Sequence, residues 1–257
     1  MASSHGLFVW HELMTNDMEG AKTFYGDVLG LTCADPKMPG PPYWIFSAGE
    51  GMVAGLMNIP AESLAMGAPP MWTGYIHVDD VDASTAKLKD MGGSVIRPPE
   101  DIPGVGRFSV VADPQGAVFE LFNSTTPPPA NPPAPDTPGR VGWNELYADD
   151  MEKVFPFYAE MFGWKKGDAI DMGAMGIYQL FEHEGRAIGG MMTRPPHVAH
   201  AVWGFYFNVA NIDATIARAT AGGGRIVHGP VQVPGGSWVA QGVDPQGVGF
   251  AMVGARA

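Results

Sequence analysis

An internal repeat constrains the fold of this chain more than any other feature of its sequence. Residues 8–17 read FVWHELMTND and residues 141–150 read VGWNELYADD, so that Trp10 aligns with Trp143 and Glu12 with Glu145. Three further segments recur in the same order: 19–31 in 152–164, 72–84 in 203–215, and 111–122 in 242–253. Because repeated sequence encodes repeated structure, we expect two homologous domains.

The segment between the two copies predicts the domain boundary. Residues 123–140 read NSTTPPPANPPAPDTPGR, and proline fixes φ and cannot donate a backbone hydrogen bond. Such a segment is typical of a semi-rigid, extended linker. We therefore predict a first domain at 1–123, a linker at 124–140 and a second domain at 141–257.

Each half also repeats internally, as a strand, a helix and three more strands. In the first half, residues 7–15 form an apolar run that ends at Asn16 and Asp17, which favour a helix start, and Gly30 ends the helix. Asp113-Pro114-Gln115-Gly116 is a turn signal and predicts a hairpin. The full prediction for this half is strands at 7–15, 43–48 and 52–58, with a third possible near 31–33, then a strand at 72–78, a helix at 80–91 and strands at 94–97, 106–112 and 117–122. The same plan in the second half gives four βαβββ modules, an α+β fold.

Composition limits the kinds of partner. The 257 residues are 46% hydrophobic, enough for a substantial core, and carry a net charge of -12. This charge repels nucleic acids and anionic membrane surfaces, so we expect a small-molecule ligand or substrate, no nucleic-acid partner and no membrane. The sequence shows no apolar run of membrane-spanning length and no signal-peptide pattern at its start, which predicts a cytoplasmic location. Cys33 is the single cysteine, which excludes an intrachain disulfide.

Several phrases carry a resemblance to a known family. FYGDVLGL, HVDDVDAS, KDMGG and DPQGAVFELF occur in this order, and the arrangement resembles the glyoxalase/bleomycin-resistance/dioxygenase superfamily, with the vicinal oxygen chelate fold. The two-domain layout with its W-x-E-L openings is similar to bacterial glyoxalase-like proteins. The resemblance implies four βαβββ modules in two tandem glyoxalase-like domains. It does not choose a function, because the fold hosts lyases, epimerases, dioxygenases, thiol transferases and metal-free drug-binding proteins.

The resemblance also implies a metal site, with ligands on the first and last strands of the modules. The matching set in this sequence is His11, His77 and Glu120, which would hold one divalent metal (Fe, Mn, Zn, Ni or Co) and leave positions open for a substrate. The second half has Asn144, Asn208 and Ala251 at these places. We therefore expect any metal in the first half alone.

The register of the strands disagrees with two of these three metal ligands. Neighbouring strand residues point to opposite faces, and the family spacing, counted back from Asp17, gives Trp10 and not His11. Counted back from Asp79, it gives Thr73 and not His77, so the three-ligand set requires bulges in both strands. The alternatives are a buried imidazole at His11, a hydrogen-bonded polar group at His77 and a carboxylate at Glu120 that a neighbouring side chain holds.

Glu120 falls on the usual ligand position. Where the lyases carry an additional glutamate, the alignment places Gly55.

The strand pattern further predicts aromatic clefts. Candidate substrate-binding residues are Trp10, Tyr75, Arg107, Trp143 and Tyr206, and candidate catalytic residues are Glu12 and His77. A desolvated Glu12 could act as a general base near neutral pH; alternatively, Glu12 and Glu145 make equivalent structural hydrogen bonds. Arg107 could bind a carboxylate or phenolate through its planar fork, or lie solvated at the surface.

Three functions remain open on sequence alone. The first is a glyoxalase- or dioxygenase-like enzyme that acts on a small oxygenated or aromatic molecule in the first-domain cleft. The second is a metal-free small-molecule-binding protein of the bleomycin-resistance kind. The third is an epimerase or lyase with Glu12 as a metal-free base. The chain could act as a monomer or a homodimer.

Overall fold

The computed structural model describes residues 4–38, 40–126 and 134–256. The four predicted βαβββ modules are confirmed. Module 1 consists of β1 (Phe8–Thr15), α1 (Met18–Leu29), β2 (Thr32–Ala34), β3 (Tyr43–Ala48) and β4 (Gly51–Asn58), and a short helix α2 (Ala61–Ala65) follows it. Module 2 consists of β5 (Met71–His77), α3 (Val81–Asp90), β6 (Ser94–Ile102), β7 (Gly106–Ala112) and β8 (Val118–Ser124).

The second half repeats the plan. Module 3 consists of β9 (Val141–Ala148), α4 (Met151–Phe162), β10 (Lys165–Asp171), β11 (Ile177–His183) and β12 (Arg186–Thr193), with a short 3-10 turn at Gly173–Met175. Module 4 consists of β13 (Val202–Val209), α5 (Ile212–Ala221), β14 (Arg225–Gln232), β15 (Trp238–Val243) and β16 (Gly249–Gly254). None of the helices in these described ranges is long and apolar enough to cross a membrane.

Local signals define the helix ends. The side chain of Asp17 accepts a hydrogen bond from the Gly20 amide at 2.9 Å and caps α1, and Gly30 ends the helix in the left-handed conformation with φ 72°. Asp150 and Gly163 do the same for α4. The repeat therefore preserves both the start and the stop of the first helix.

Two elements differ from the sequence prediction. Strand β6 was expected to end at residue 97, but it continues to Ile102, and its register against β7 shifts between Arg97 and Glu100. Prolines are tolerated in an edge strand at such an irregularity. Helix α2 was not predicted because none of its residues is buried, so it has no apolar periodicity.

The described residues divide into two compact units. Unit 1 contains residues 4–9, 73–126 and 143–203, and so combines module 2 with module 3. Unit 2 contains residues 10–38, 40–72, 134–142 and 204–256, and so combines module 1 with module 4. Each unit takes one module from each half of the sequence. The predicted domain boundaries at 123 and 141 stay a prediction, and part of the predicted linker, residues 127–133, lies outside the described residues.

In unit 1, the strands run in the orders β5-β8-β7-β6 and β10-β11-β12-β9. The pairs β5–β8 and β12–β9 are parallel, and the others are antiparallel. A buried hydrogen-bond chain joins the modules: Trp203 Nε1 donates to Tyr158 Oη at 3.2 Å, which donates to Asp113 Oδ2 at 2.9 Å. Burial raises the pKa of Tyr158 well above its ordinary value, and the charge of Asp113 raises it further.

Unit 2 repeats this arrangement with strand orders β2-β3-β4-β1 and β13-β16-β15-β14. Here Trp72 Nε1 donates to Tyr25 Oη at 3.0 Å, and Tyr25 donates to Asp244 Oδ2 at 3.1 Å. In both units, therefore, the aspartate of a DPQG turn anchors the first helix of the module from the other half. The repeated FY and DPQG phrases have a packing role.

Candidate functional site

The two faces of β1 have different surroundings. The β1–β4 pairing is regular from Glu12 to Thr15, so residues 10, 12 and 14 share one face and residues 11, 13 and 15 the other. The His11 ring meets the ring of Phe205 edge-on at 4.8 Å, and Thr15 Oγ1 donates to Gln246 at 2.7 Å. His11 is 7% exposed. It therefore lies on the face that packs against module 4, opposite to the face of Glu12.

The other face of β1 carries a polar aromatic cluster. Trp10 Nε1 donates a hydrogen bond to Tyr43 Oη at 2.9 Å, and Glu12 lies opposite Gly55 in the β1–β4 register. A Cβ on Gly55 would lie 2.6 Å from Tyr43 Cζ, closer still to the hydroxyl, and 3.2 Å from Glu12 Oε2. Tyr43 and Glu12 thus meet in space that only glycine leaves free. We call Trp10, Tyr43 and Glu12 the first cluster.

The second half builds the same cluster inside module 3. Trp143 Nε1 donates to Tyr178 Oη at 2.8 Å, and Glu145 lies opposite Gly190 in the β12–β9 register. A Cβ on Gly190 would collide with the ring and hydroxyl of Tyr178. Tyr178 and Glu145 are hydrogen-bonded; burial raises the pKa of Tyr178 well above its ordinary value, and the charge of Glu145 raises it further. We call Trp143, Tyr178 and Glu145 the second cluster.

In both clusters the carboxylate is buried and the aromatic rings are partly exposed. Glu12 and Glu145 are each 5% exposed, whereas the Trp and Tyr rings of both clusters are half-buried. The partly open rings can stack on a flat ligand. The phenol can donate or accept a hydrogen bond with a polar group on such a ligand, whereas the desolvated carboxylate can only accept one. Hydrogen bonds to a charged group are the stronger kind.

The tyrosines of both clusters were missed from the sequence. Trp10, Glu12 and Trp143 were predicted, but Tyr43 and Tyr178 were not. A signal was present: a Tyr-x-x-Phe pattern occurs at 43–46 and again at 178–181. Its phenylalanines are fully buried core residues, so the tyrosines, three positions earlier, point to the other face of the strand.

Three predicted site residues of module 2, Tyr75, His77 and Glu120, lie in unit 1. Glu120 is 2% exposed and accepts a hydrogen bond from Thr73 Oγ1 at 2.6 Å, and Tyr75 lies opposite it in the β5–β8 register. His77 lies further along β5, opposite a phenylalanine, and its Nδ1 is 3.2 Å from Ser4 Oγ. Burial lowers the pKa of His77. The structure thus brings Thr73, rather than His77, onto the Glu120 carboxylate.

Arg107 and Tyr206 are engaged within the protein. The Arg107 guanidinium donates to both carboxylate oxygens of Asp82, at 2.6 and 2.9 Å, and to Asp101 at 2.8 Å. These bonds raise its pKa, and the side chain lines an open groove of about 610 Å³. Tyr206 is buried, and its hydroxyl accepts a hydrogen bond from Gln241 Nε2 at 2.6 Å. A substrate at Arg107 would have to replace a carboxylate partner.

The described residues of module 1 do not fit a metal. Within residues 4–38, 40–126 and 134–256, no group of three or more His, Cys, Asp or Glu side chains could hold a metal ion. In module 1, the two positions that the resemblance implies for ligands are occupied by Trp10, whose indole is a donor only, and by Gly55. The Tyr43 hydroxyl lies between them. These two positions of module 1 therefore supply no metal-coordinating side chain.

Comparisons with known proteins agree with the fold. The family model described as "Glyoxalase/Bleomycin resistance protein/Dioxygenase superfamily" matches residues 7–121 and 140–252. "Putative glyoxylase CFP32" of Mycobacterium tuberculosis is 32% identical over 246 residues, which cover 95% of this chain and 93% of that protein. "Anthracycline biosynthesis protein DnrV" of Streptomyces peucetius is 32% identical over 266 residues, with 98% and 94% coverage.

Two solved structures show the same fold. The Mn(II)-bound glyoxalase from Novosphingobium aromaticivorans has a TM-score of 0.66 at 17% identity and covers 99% of this chain and 83% of its own. A variant of homoprotocatechuate 2,3-dioxygenase from B. fuscum has a TM-score of 0.68 at 17% identity, with 98% and 72% coverage. The α+β fold and the resemblance stated from the sequence are confirmed, and the chain belongs to the Glyoxalase/Bleomycin resistance protein/Dioxygenase superfamily.

Proposed function

We propose that the chain binds a small, flat, oxygenated aromatic molecule at the first cluster, without a metal. The observation that carries the proposal is the Tyr43 hydroxyl, which is hydrogen-bonded to Trp10 and lies over Gly55. The phenol of Tyr43 stands where a metal-dependent relative would need a ligand, and the half-buried indole of Trp10 lies next to it. The site therefore offers stacking surface and hydrogen-bonding groups.

The chemistry of the ligand follows from these groups. Rings that are half-buried still present a face, and stacking on Trp or Tyr adds to the energy of burial. Glu12 is buried next to them and accepts hydrogen bonds, which favours a ligand with hydroxyl groups. The net charge of -12 disfavours an anionic ligand. Two relatives at 31–32% identity are named anthracycline biosynthesis proteins, and anthracyclines are flat, oxygenated, polycyclic aromatic molecules.

Binding of 1,4-dihydroxyanthraquinone tests the proposal. Titration calorimetry on protein stripped with a chelator should give the same affinity as on untreated protein. Tyr43→Phe keeps the ring but removes the hydroxyl, and should weaken binding about fivefold to tenfold, as for the loss of one hydrogen bond. His11→Asn is the matched control, because Asn144 stands at the equivalent place, and should leave the affinity unchanged. Binding that needs added metal, or that is lost in His11→Asn, contradicts the proposal.

A second candidate is an enzyme of the glyoxalase or dioxygenase kind that uses Glu120. The observation in its favour is the buried Glu120 carboxylate, which lies at the usual ligand position of the family and which Thr73 orients. A relative named as a glyoxylase points the same way. Metal analysis of untagged protein separates the candidates: a stoichiometric Fe, Mn, Zn, Ni or Co that Glu120→Gln removes would favour the enzyme.

A further inference from the structure

We infer that the second cluster is a second ligand site of the same kind, so that one chain binds two aromatic molecules, one in each half. This inference rests on the proposed function of the first cluster. It concerns different residues, Trp143, Tyr178 and Glu145, which belong to unit 1, whereas the first cluster belongs to unit 2.

The two clusters agree in the residues that build them and in how these residues are held. The indole donates to the phenol at 2.9 Å in the first and at 2.8 Å in the second. In each, the glutamate lies opposite a glycine whose Cβ would collide with the tyrosine. In each, the tryptophan and the glutamate come from the first strand of one module, the tyrosine from the third strand and the glycine from the fourth. The second half therefore holds a complete copy of the site.

The two halves differ at the candidate metal ligands but have the same residues in the clusters. His11 is replaced by Asn144 and Glu120 by Ala251, so the residues that could have served a metal site differ, whereas Trp, Tyr, Glu and Gly of the cluster are kept. A carboxylate that is 5% exposed carries a desolvation cost even when it is hydrogen-bonded. Its presence in both halves indicates a shared use that does not need the metal-type residues.

One neighbouring position makes the two sites different. Tyr147 follows Glu145 on the same face of β9, and its electrostatic interaction with Tyr178 raises the pKa of that hydroxyl. The equivalent residue in β1 is Met14. The second site thus carries an additional phenol where the first carries a flexible thioether, and we expect it to prefer the ligand with more polar substituents.

Stoichiometry tests the inference with the same probe. Titration of the full chain with 1,4-dihydroxyanthraquinone should give two sites. Tyr178→Phe should weaken one of them about fivefold to tenfold and leave the other unchanged, and Tyr43→Phe should do the converse. Tyr147→Met, a half-buried change that keeps the cluster intact, should bring the two affinities closer together. Circular dichroism and thermal melts check that each variant is folded.

The outcomes separate this inference from the proposed function. One site that responds to Tyr43→Phe and not to Tyr178→Phe overturns the second site and leaves the proposed function standing. One site that responds only to Tyr178→Phe supports the second cluster and overturns the first. No binding to the folded wild-type chain overturns both.

Discussion

Replacing Gly55 with alanine tests whether the first cluster is as tightly built as its geometry indicates. The added Cβ would lie 2.6 Å from Tyr43 Cζ and 3.2 Å from Glu12 Oε2, and real Cβ contacts below 3 Å are essentially never seen. Tyr43 would have to move, and its hydrogen bond from Trp10 would be lost. Gly55 is not in the left-handed region, so backbone strain makes no contribution.

The cost can be summed from its parts. Forcing an added methyl group into a packed site costs about 1–3 kcal/mol, and the lost hydrogen bond adds about 1 kcal/mol. Alanine lowers the entropy of the unfolded chain, which offsets about 0.4–1 kcal/mol. We therefore expect Gly55→Ala to lower the free energy of unfolding by about 1–3.5 kcal/mol.

Urea unfolding, followed by circular dichroism, measures this change in a double-mutant cycle with Tyr43→Leu, which removes the two atoms that lie closer than 3 Å to the Cβ position. In the Tyr43→Leu background, Gly55→Ala should be neutral or slightly stabilising, which gives a coupling energy of about 1–3.5 kcal/mol. Gly249→Ala in β16 is the matched control, because no atom lies within 4 Å of its Cβ position. It should not destabilise the protein, and the lower entropy of the unfolded chain predicts a gain of about 0.4–1 kcal/mol.

Two results would refute the reasoning. One is a Gly55→Ala variant that is no less stable than the Gly249→Ala control. The other is an equal cost in the wild-type and Tyr43→Leu backgrounds, because the penalty would then not come from Tyr43.

Three further predictions concern residues outside the clusters. Gln246 bonds the Thr15 hydroxyl at 2.7 Å and the Asp17 amide at 3.0 Å, so Gln246→Ala should cost about 1–3 kcal/mol in urea unfolding; a change below about 0.5 kcal/mol contradicts this. Burial lowers the pKa of His77 below its usual 6.5, so as the pH falls below 6.5 the unfolded state binds the proton first and stability is lost. Melting temperatures from pH 7.5 to 5 should therefore fall less in His77→Asn than in the wild type, and equal slopes would dismiss the effect. Arg107 makes exposed ion pairs, so Arg107→Ala should lower the melting temperature only slightly, and by less at high salt; a larger loss in 1 M NaCl would show that packing dominates.

The sequence by itself determined the modules and the family. The signals are local: Asp17 caps α1 through an amide three residues away, Gly30 ends it, and the DPQG turn closes its hairpin within four residues. Such features depend on backbone preferences that neighbouring residues set, so they can be predicted without the rest of the chain. The duplication then carries each prediction from one half to the other.

The pairing of the modules could not be predicted in this way. The Tyr25–Asp244 hydrogen bond joins residues 219 positions apart, and nothing local in either phrase specifies its partner. The sequence placed Trp10 and Glu12 on one face and His11 on the other by alternation alone, and the regular β1–β4 register has this arrangement.

Only the tertiary structure decided what meets Trp10 and Glu12. Tyr43 reaches them because β3 pairs with β4 and β4 pairs with β1, and a shift of one residue in either pairing would send its side chain to the other face. Gly55 leaves room for it, which is why a residue without a side chain matters at this place. Register across strands is set by the packing of the whole sheet rather than by neighbours in the chain, and the cluster is a product of that register.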